Sequence, residues 1–274
     1  MATPNFIYVG TGKAGSTWLH QVFQKHPDIF VTPVKETNYF DLNYDRGIGW
    51  YEDFFQNAQE NQIVGEISHR YMRSDKAVSR IKQDLGDIKI LAFFRDPSEY
   101  FLSDYLFTVR NGGFSGTVEE WADNGFDWDA ILYADLIRPY VETFSKGNVM
   151  IGNFKDIGRD PESLLKNISN FLSIPEFPSD AVNIGKVNPA KSPRNKILSR
   201  IVSSTSKALK RKGGQRIIAA FKYSRFVQGL LYKNLSKKPE IPAVVREKII
   251  SHSVEDIKWL DSTFDTSLEE MWCK

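Results

Sequence analysis

Short apolar runs alternate with amphipathic stretches up to Pro175. The apolar runs predict buried strands, and the spacing of three and four residues between apolar positions elsewhere predicts helices. The predicted strands are residues 6–9, 29–31, 62–68, 88–94 and 148–154, and the predicted helices include residues 47–55, 74–85, 128–144 and 161–172. Strands that alternate with helices predict an α/β fold, a doubly wound parallel sheet flanked by helices.

Two of these segments carry a further expectation. Residues 88–94 form an uninterrupted apolar run, which is typical of a parallel strand covered on both faces. Pro139 lies inside the helical pattern of residues 128–144 and has no N–H group to donate. It is therefore expected to kink or divide that helix.

The pattern changes after Pro175, where prolines, serines and basic residues become frequent and a helical stretch covers residues 217–231. We expect one domain over residues 1–274. Its α/β core would cover residues 1–178, and a basic helical extension or lid would cover residues 179–274. The chain length suits such a domain.

Composition excludes several classes of protein. Hydrophobic residues make up 41% of the chain, so a sizeable core can form. Cys273 is the single cysteine, and the four histidines lack the spacing of metal ligands, so we expect neither a disulfide framework nor a metal site. With no apolar run long enough for a membrane span and no secretory pattern at the N-terminus, we expect a cytoplasmic protein.

Charge is distributed unevenly along the chain. The formal net charge is only +2, but residues 187–239, here called the basic segment, contain fourteen Lys or Arg and no Asp or Glu. The rest of the chain therefore carries a net charge near −12. The basic segment predicts a surface that attracts anions.

The sequence GTGKAGST follows the first predicted strand and resembles a nucleotide-binding phosphate loop with a displaced lysine. Gly10 and Gly15 keep the usual glycine spacing, Ser16 occupies the position of the usual lysine, and Lys13 lies inside the loop. Such a loop presents backbone N–H groups and a helix N-terminus to an anion. The expected anion-binding residues are Gly12, Lys13, Ala14, Gly15, Ser16, Thr17 and Trp18.

A second anion-binding motif is expected at Arg95, which directly follows the strand predicted at residues 88–94. The arginine fork can donate two parallel hydrogen bonds to a phosphate, and open α/β sheets bind ligands at the carboxyl ends of their strands. The alternative is a local ion pair or helix cap formed by Arg95 and Asp96.

Together the two motifs resemble those of the sulfotransferases that use 3′-phosphoadenosine 5′-phosphosulfate (PAPS). GTGKAGSTWL is similar to their 5′-phosphosulfate loop, and FFRDPSEYFLSDYLF is similar to their 3′-phosphate-binding strand, turn and helix. The resemblance covers roughly residues 6–178. It implies PAPS as donor and 3′-phosphoadenosine 5′-phosphate (PAP) as product, without a metal. Arg95 and Ser103 would hold the 3′-phosphate, and Lys13 would neutralise the leaving phosphate.

The acceptor side has two candidate general bases. Glu36 lies in VKETNYFD, which, with GIGWY downstream, resembles the glycosaminoglycan branch of the family and implies Glu36 as the base. His69, in GEISHRYM, is the alternative, because cytosolic sulfotransferases of small molecules use a histidine. The glycosaminoglycan branch commonly reads GEKTP here, so Ile67 replaces its lysine and His69 its proline. We predict Glu36 as the base.

The acceptor is expected to be a small intracellular molecule that offers a hydroxyl or amine group, with a saccharide as the alternative. Lys191 lies roughly where relatives place a late basic loop that contacts the donor, which implies a donor contact there. The sequence leaves the oligomeric state open.

Two competing functions are weighed against sulfuryl transfer. A nucleotide kinase or triphosphatase would need a lysine after Gly15 and an acidic magnesium ligand at a strand end. The lysine is absent, and Asp96 could take the second role. A non-enzymatic binder of nucleic acid or membrane would use the basic segment, in which few aromatic residues are interleaved. We expect no nucleic-acid partner.

Overall fold

The computed structural model describes residues 3–182, 191–193, 232–234 and 238–273. The central sheet has five parallel strands in the order β2-β3-β1-β4-β5. These strands are β1 (Phe6–Gly10), β2 (Ile29–Val31), β3 (Ile63–Ile67), β4 (Lys89–Phe94) and β5 (Val149–Asn153). The predicted α/β fold with a parallel sheet is confirmed.

Helices follow most of the strands and cover the sheet. They are α1 (Ser16–Phe23), α2 (Tyr39–Leu42), α3 (Ile48–Glu52), α4 (Ala77–Leu85), α5 (Pro97–Arg110), α6 (Val118–Asn124), α7 (Tyr133–Phe144), α8 (Asp156–Arg159), α9 (Pro161–Leu172), α10 (Ala243–Phe264) and α11 (Leu268–Trp272). A separate antiparallel pair joins β6 (Lys191–Pro193) to β7 (Tyr232–Asn234).

Both faces of the sheet are buried, because alternate side chains of each interior strand point to opposite sides. In β1, Phe6 and Tyr8 join one apolar cluster with residues of α1 and α9. Ile7 and Val9 join a second cluster with residues of α4, α5, α7 and α10. The strands therefore read as continuous apolar runs in the sequence.

The helix predicted over residues 128–144 divides at Leu132 rather than at Pro139. A 3₁₀ turn at Trp128–Ile131 precedes Leu132, and α7 then continues through Pro139. Buried contacts on both sides of the proline, at Ile137 and Tyr140, outweigh the hydrogen bond that a proline removes. Tertiary packing thus overrides the local preference.

The C-terminal helix α10 packs into the main core. Val245, Ile249, Ile257 and Leu260 on α10 are buried in the cluster that also contains residues of α7. The helix predicted at residues 217–231 and most of the basic segment lie outside the described residues. Of the helices that the structure describes, none is both long and apolar enough to cross a membrane.

Candidate active site

The glycine loop between β1 and α1 stands at the carboxyl edge of the sheet. Gly15, the residue before α1, has φ of 91°, a left-handed conformation that favours glycine. A β-carbon at Gly15 would lie 2.3 Å from Cδ1 of Ile157 and 3.2 Å from Cδ2 of Phe154. The loop is therefore packed closely against α8 and the end of β5, and it presents the N-terminus of α1.

The residues predicted to bind the anion are arranged around this loop. Ala14, Ser16 and Trp18 are buried, whereas Gly12, Lys13, Gly15 and Thr17 are partly exposed. The buried residues fix the loop on the core, and the partly exposed ones form its outer surface.

Lys13 connects the loop with α5. Its ammonium nitrogen lies 3.0 Å from the centroid of the Phe107 ring, a cation–π contact. Ser103 precedes Phe107 by one helical turn and is half-buried, so both residues lie on the same side of α5. Ser103 therefore faces the side on which the loop lies.

Arg95 is held at the end of β4 by contacts on several sides. The hydroxyl of Tyr133 donates to the Arg95 carbonyl at 2.8 Å, and the guanidinium carbon lies 4.5 Å from the centroid of the Phe154 ring. Nη1 of Arg95 donates to the Lys13 carbonyl at 3.3 Å, and Nη2 lies 3.0 Å from Oε2 of Glu99. The two predicted anion-binding motifs are thus in direct contact.

Asp96 caps α5. Its carboxylate accepts hydrogen bonds from the backbone N–H groups of Ser98, at 2.8 Å, and Glu99, at 3.3 Å. Burial raises the pKa of Asp96, and these hydrogen bonds lower it. Capping accounts for the aspartate that a kinase would use as a magnesium ligand.

Lys35 joins the glycine loop to the acceptor side. Its ammonium donates to the hydroxyls of Ser16, at 2.9 Å, and Thr17, at 3.0 Å. It also lies 3.7 Å from Oε1 of Glu36, and its side chain is 13% exposed. The only sequence signal for this role is its position beside Glu36.

The two candidate bases are hydrogen-bonded to each other. Nδ1 of His69 lies 2.6 Å from Oε1 of Glu36, although the residues are 33 positions apart in the chain. The backbone N–H of Glu36 donates to the Ile67 carbonyl at 3.0 Å, which fixes its loop beside the end of β3. The sequence offers Glu36 and His69 as alternatives, whereas the fold combines them.

His69 also contacts the glycine loop. A β-carbon at Gly12 would lie 3.0 Å from Cδ2 and 3.4 Å from Nε2 of His69, so the outer edge of the ring lies against Gly12. An ionised carboxylate only accepts hydrogen bonds, so beside an ionised Glu36 the Nδ1 atom carries a proton. In the neutral ring, Nε2 is then a proton acceptor that faces the loop.

A buried carboxylate, Glu66, is hydrogen-bonded to Thr37 and Ser68, the chain neighbours of this pair. It is 0% exposed and accepts hydrogen bonds from four hydroxyl groups, those of Thr37, Tyr51, Ser68 and Tyr71. Glu66 is not among the site residues predicted from the sequence. Its signal is a single charged residue inside the apolar strand IVGEI.

Lys191, the late donor contact that the resemblance implies, lies in β6, and β6 runs beside α5. Its backbone is thus next to the helix that carries Ser103.

The fold and the loop define an α/β protein with a candidate anion-binding site at the carboxyl edge of its sheet. Residues 3–216 match the family described as "Sulfotransferase domain". The chain therefore belongs to the sulfotransferase domain family.

Individual relatives agree with this assignment. The membrane-associated sulfotransferase kil1 of Dictyostelium discoideum is 37% identical over 113 residues, 40% of this chain and 24% of that protein. Heparan sulfate glucosamine 3-O-sulfotransferase 3B1 of Homo sapiens is 26% identical over 187 residues, 65% of this chain and 48% of that protein. The chain thus spans about half or less of the length of these relatives. A crystal structure of a sulfotransferase from Alicyclobacillus acidocaldarius shares the fold, with a TM-score of 0.69, 19% identity and coverage of 100% of both chains.

Proposed function

We propose that the protein transfers the sulfuryl group of PAPS to a hydroxyl or amine group of an acceptor and releases PAP. The observation that carries this proposal is the 3.3 Å hydrogen bond from Arg95 to the Lys13 carbonyl. It brings two cationic motifs together at one edge of the sheet. A donor with two separate anionic groups matches two such motifs, and membership of the sulfotransferase family supports the same donor.

Each end of the donor has its own set of residues. The backbone N–H groups of residues 12–17 and the N-terminus of α1 would receive the 5′-phosphosulfate. Arg95 and Ser103 would hold the 3′-phosphate, and Lys191 remains an additional proposed donor contact. Tyr133 and Phe154 keep Arg95 oriented, which lowers the cost of ordering it when the donor binds.

The transfer is an in-line displacement, as in phosphoryl transfer. A bond forms between the acceptor atom and sulfur, and the bond from sulfur to the oxygen of the 5′-phosphate breaks. The electron pair of the broken bond leaves with PAP. Lys13 and the loop N–H groups neutralise the charge that grows on that oxygen. Lys35, held by Ser16 and Thr17, supplies positive charge beside the sulfuryl group.

The acceptor's proton goes to the Glu36–His69 pair. Nε2 of His69 takes the proton, because the His69 side chain is 39% exposed and its ring edge lies against the glycine loop. The Glu36 side chain is 18% exposed, and its carboxylate holds the ring through Nδ1 and stabilises the protonated ring. This assignment differs from the sequence expectation, in which Glu36 acts as the base.

The proposed acceptor is a small molecule rather than a sulfated polysaccharide chain. The lysine of the glycosaminoglycan branch is replaced here by Ile67, which is buried in the apolar cluster of α1 and α9. That position therefore offers no cation to a polyanionic acceptor.

Calorimetric titration of the full chain with PAP and with ATP, each with and without Mg²⁺, tests the donor. PAP is expected to bind more tightly than ATP, and its affinity should not change when EDTA is added. Tight binding of magnesium–ATP together with no response to PAP would overturn the proposal in favour of a nucleotide kinase.

A further inference from the structure

Glu66 lies at the carboxyl end of β3 and is fully buried. Its Oε1 atom accepts hydrogen bonds from the hydroxyls of Ser68, at 2.5 Å, Tyr71, at 2.8 Å, and Thr37. Its Oε2 atom accepts from the hydroxyl of Tyr51 at 2.6 Å. A buried carboxylate is costly unless its lone pairs are satisfied, and an apolar residue would suit a buried strand. The presence of Glu66 therefore calls for a reason beyond packing.

Two of the hydrogen-bond partners of Glu66 are direct neighbours, along the chain, of the two candidate bases. Thr37 directly follows Glu36, and Ser68 directly precedes His69. Both hydroxyls meet on the same oxygen of Glu66. One atom thus connects the loop after β2 with the turn after β3, the two segments that supply the hydrogen-bonded pair.

The other two donors, the hydroxyls of Tyr51 and Tyr71, attach the Glu66 carboxylate to the core. Tyr51 and Tyr71 are both 0% exposed, and their rings pack on Phe40 at centroid distances of 5.1 and 5.6 Å. Tyr51 also stacks on Tyr39 at 4.5 Å. The carboxylate is therefore fixed by rigid aromatic side chains on one side and holds two polar segments on the other.

We propose that Glu66 is a positioning residue, which sets the geometry of the Glu36–His69 pair by binding Thr37 and Ser68 through one carboxylate oxygen. It does not touch the acceptor or the donor. The proposal rests on the function proposed above, because the pair matters only if it takes a proton. The chemistry of the site is consistent with the role: all four donors are neutral hydroxyls, and burial raises the pKa of Glu66 while the hydroxyls lower it.

The test compares two hydroxyls that lie on the segments of Glu36 and His69 with one hydroxyl that lies elsewhere. Thr37→Val and Ser68→Ala each remove a link between Glu66 and a pair-bearing segment. Tyr51→Phe removes a hydroxyl from the same carboxylate, but Tyr51 lies on α3, outside those segments. Tyr140→Phe is a control for the loss of a buried tyrosine hydroxyl, since the Tyr140 hydroxyl has no hydrogen-bond partner in the described part of the chain.

If Glu66 positions the pair, Thr37→Val and Ser68→Ala lower kcat by about tenfold or more, because small displacements at a reacting centre are costly. Their Kd for PAP should stay within about twofold, since the donor contacts are intact. Tyr51→Phe should lower Tm by as much as the other two and leave kcat within about twofold. Glu66→Gln should keep more activity than Glu66→Ala, because the two lone pairs of its amide oxygen can still accept the hydrogen bonds from Thr37 and Ser68.

Proton NMR of the His69 Nδ1–H provides a readout that does not depend on turnover. In the wild type this proton should be strongly deshielded by the short bond to Glu36, and in Thr37→Val and Ser68→Ala its signal should move or exchange with water. The positioning role is overturned if the signal is unchanged in both variants. It is also overturned if Thr37→Val, Ser68→Ala and Tyr51→Phe all lower kcat to the same extent as they lower Tm. Failure of PAP to bind the wild type would contradict the proposed function instead, while the NMR comparison would still decide the role of Glu66.

Discussion

Nδ1 of His69 lies 2.6 Å from Oε1 of Glu36, across two segments that follow different strands of the sheet. The same Oε1 atom lies 3.7 Å from the Lys35 ammonium, and Lys35 in turn binds Ser16 and Thr17 of the glycine loop. A continuous polar chain therefore runs from the proposed proton acceptor to the proposed sulfuryl site.

Removal of the imidazole should nearly abolish turnover. We expect His69→Ala to lower kcat by about 100-fold or more with the Kd for PAP unchanged, because the variant loses the proton acceptor. Added imidazole should restore part of the activity. Glu36→Gln should also lower kcat, because its side chain no longer stabilises the protonated ring, and imidazole should not rescue it. Steady-state kinetics measures both, and a fully active His69→Ala enzyme beside an inactive Glu36→Gln enzyme would return the base to Glu36.

Lys13→Ala should lower turnover far more than it weakens PAP binding. The charge on the leaving oxygen grows mainly in the transition state, so the lost interaction appears in kcat, at about 2–4 kcal/mol. Single-turnover kinetics and calorimetry separate the two quantities. Phe107→Leu, which removes the ring beside the Lys13 ammonium but not the charge, is the control and should change kcat much less. A Lys13 variant whose only defect is donor affinity would contradict the assignment.

Arg95→Ala should weaken PAP binding directly, because the 3′-phosphate keeps its charge throughout the reaction. Glu99→Gln should instead tighten PAP binding. In the wild type the Glu99 carboxylate lies 3.0 Å from the Arg95 guanidinium and competes with the phosphate for it. We expect a several-fold tighter Kd at low salt and a smaller gain at high salt. Asp135→Asn, at a surface pair with Arg138, is the matched control. Unchanged PAP affinity in Glu99→Gln would show that the Glu99 carboxylate and the 3′-phosphate do not compete for Arg95.

Gly15→Ala should damage the loop. Its φ of 91° strains any β-carbon, and that carbon would collide with Ile157 at 2.3 Å. We expect the free energy of unfolding to fall by on the order of 1–3 kcal/mol and PAP to bind more weakly. Gly158→Ala, nearby on α8, has no atom within 4 Å of the added carbon, and it should be neutral or stabilising. Urea unfolding and PAP titration of both variants check the prediction. Equal effects of Gly15→Ala and Gly158→Ala would contradict it.

Asp256 should make stability depend on pH. Its carboxylate accepts from the backbone N–H groups of Ala134 and Asp135 at the start of α7, and burial raises its pKa from 3.8 to about 6. The folded protein therefore binds this proton more tightly than the unfolded chain, so the contribution of Asp256 to stability falls as pH rises from about 4 to about 6. Asp256→Asn should flatten this part of the profile in urea unfolding, whereas Asp265→Asn, at an exposed surface pair, should leave it unchanged. Parallel profiles for the wild type and Asp256→Asn would contradict the prediction.

The local elements could be predicted because their signals are local. Strand β2 and helix α9 have the bounds expected from apolar spacing and from Pro161 at the first helical position. Pro139 shows the limit of such reasoning. The packing of Ile137 and Tyr140 involves residues distant in sequence, so no local rule indicates that α7 continues through the proline.

The amino-acid sequence by itself determined the alternation of strands and helices, the glycine loop with Lys13, and Arg95 at the end of a strand. Each of these depends on neighbours within a few residues, where backbone preference and side-chain spacing act directly. Only the tertiary structure decided that β1 lies between β3 and β4, that Glu36 meets His69, and that Glu66 binds both of their segments. These relationships arise when strands distant in sequence pair side by side, and spacing along the chain carries no information about which carboxyl ends become neighbours.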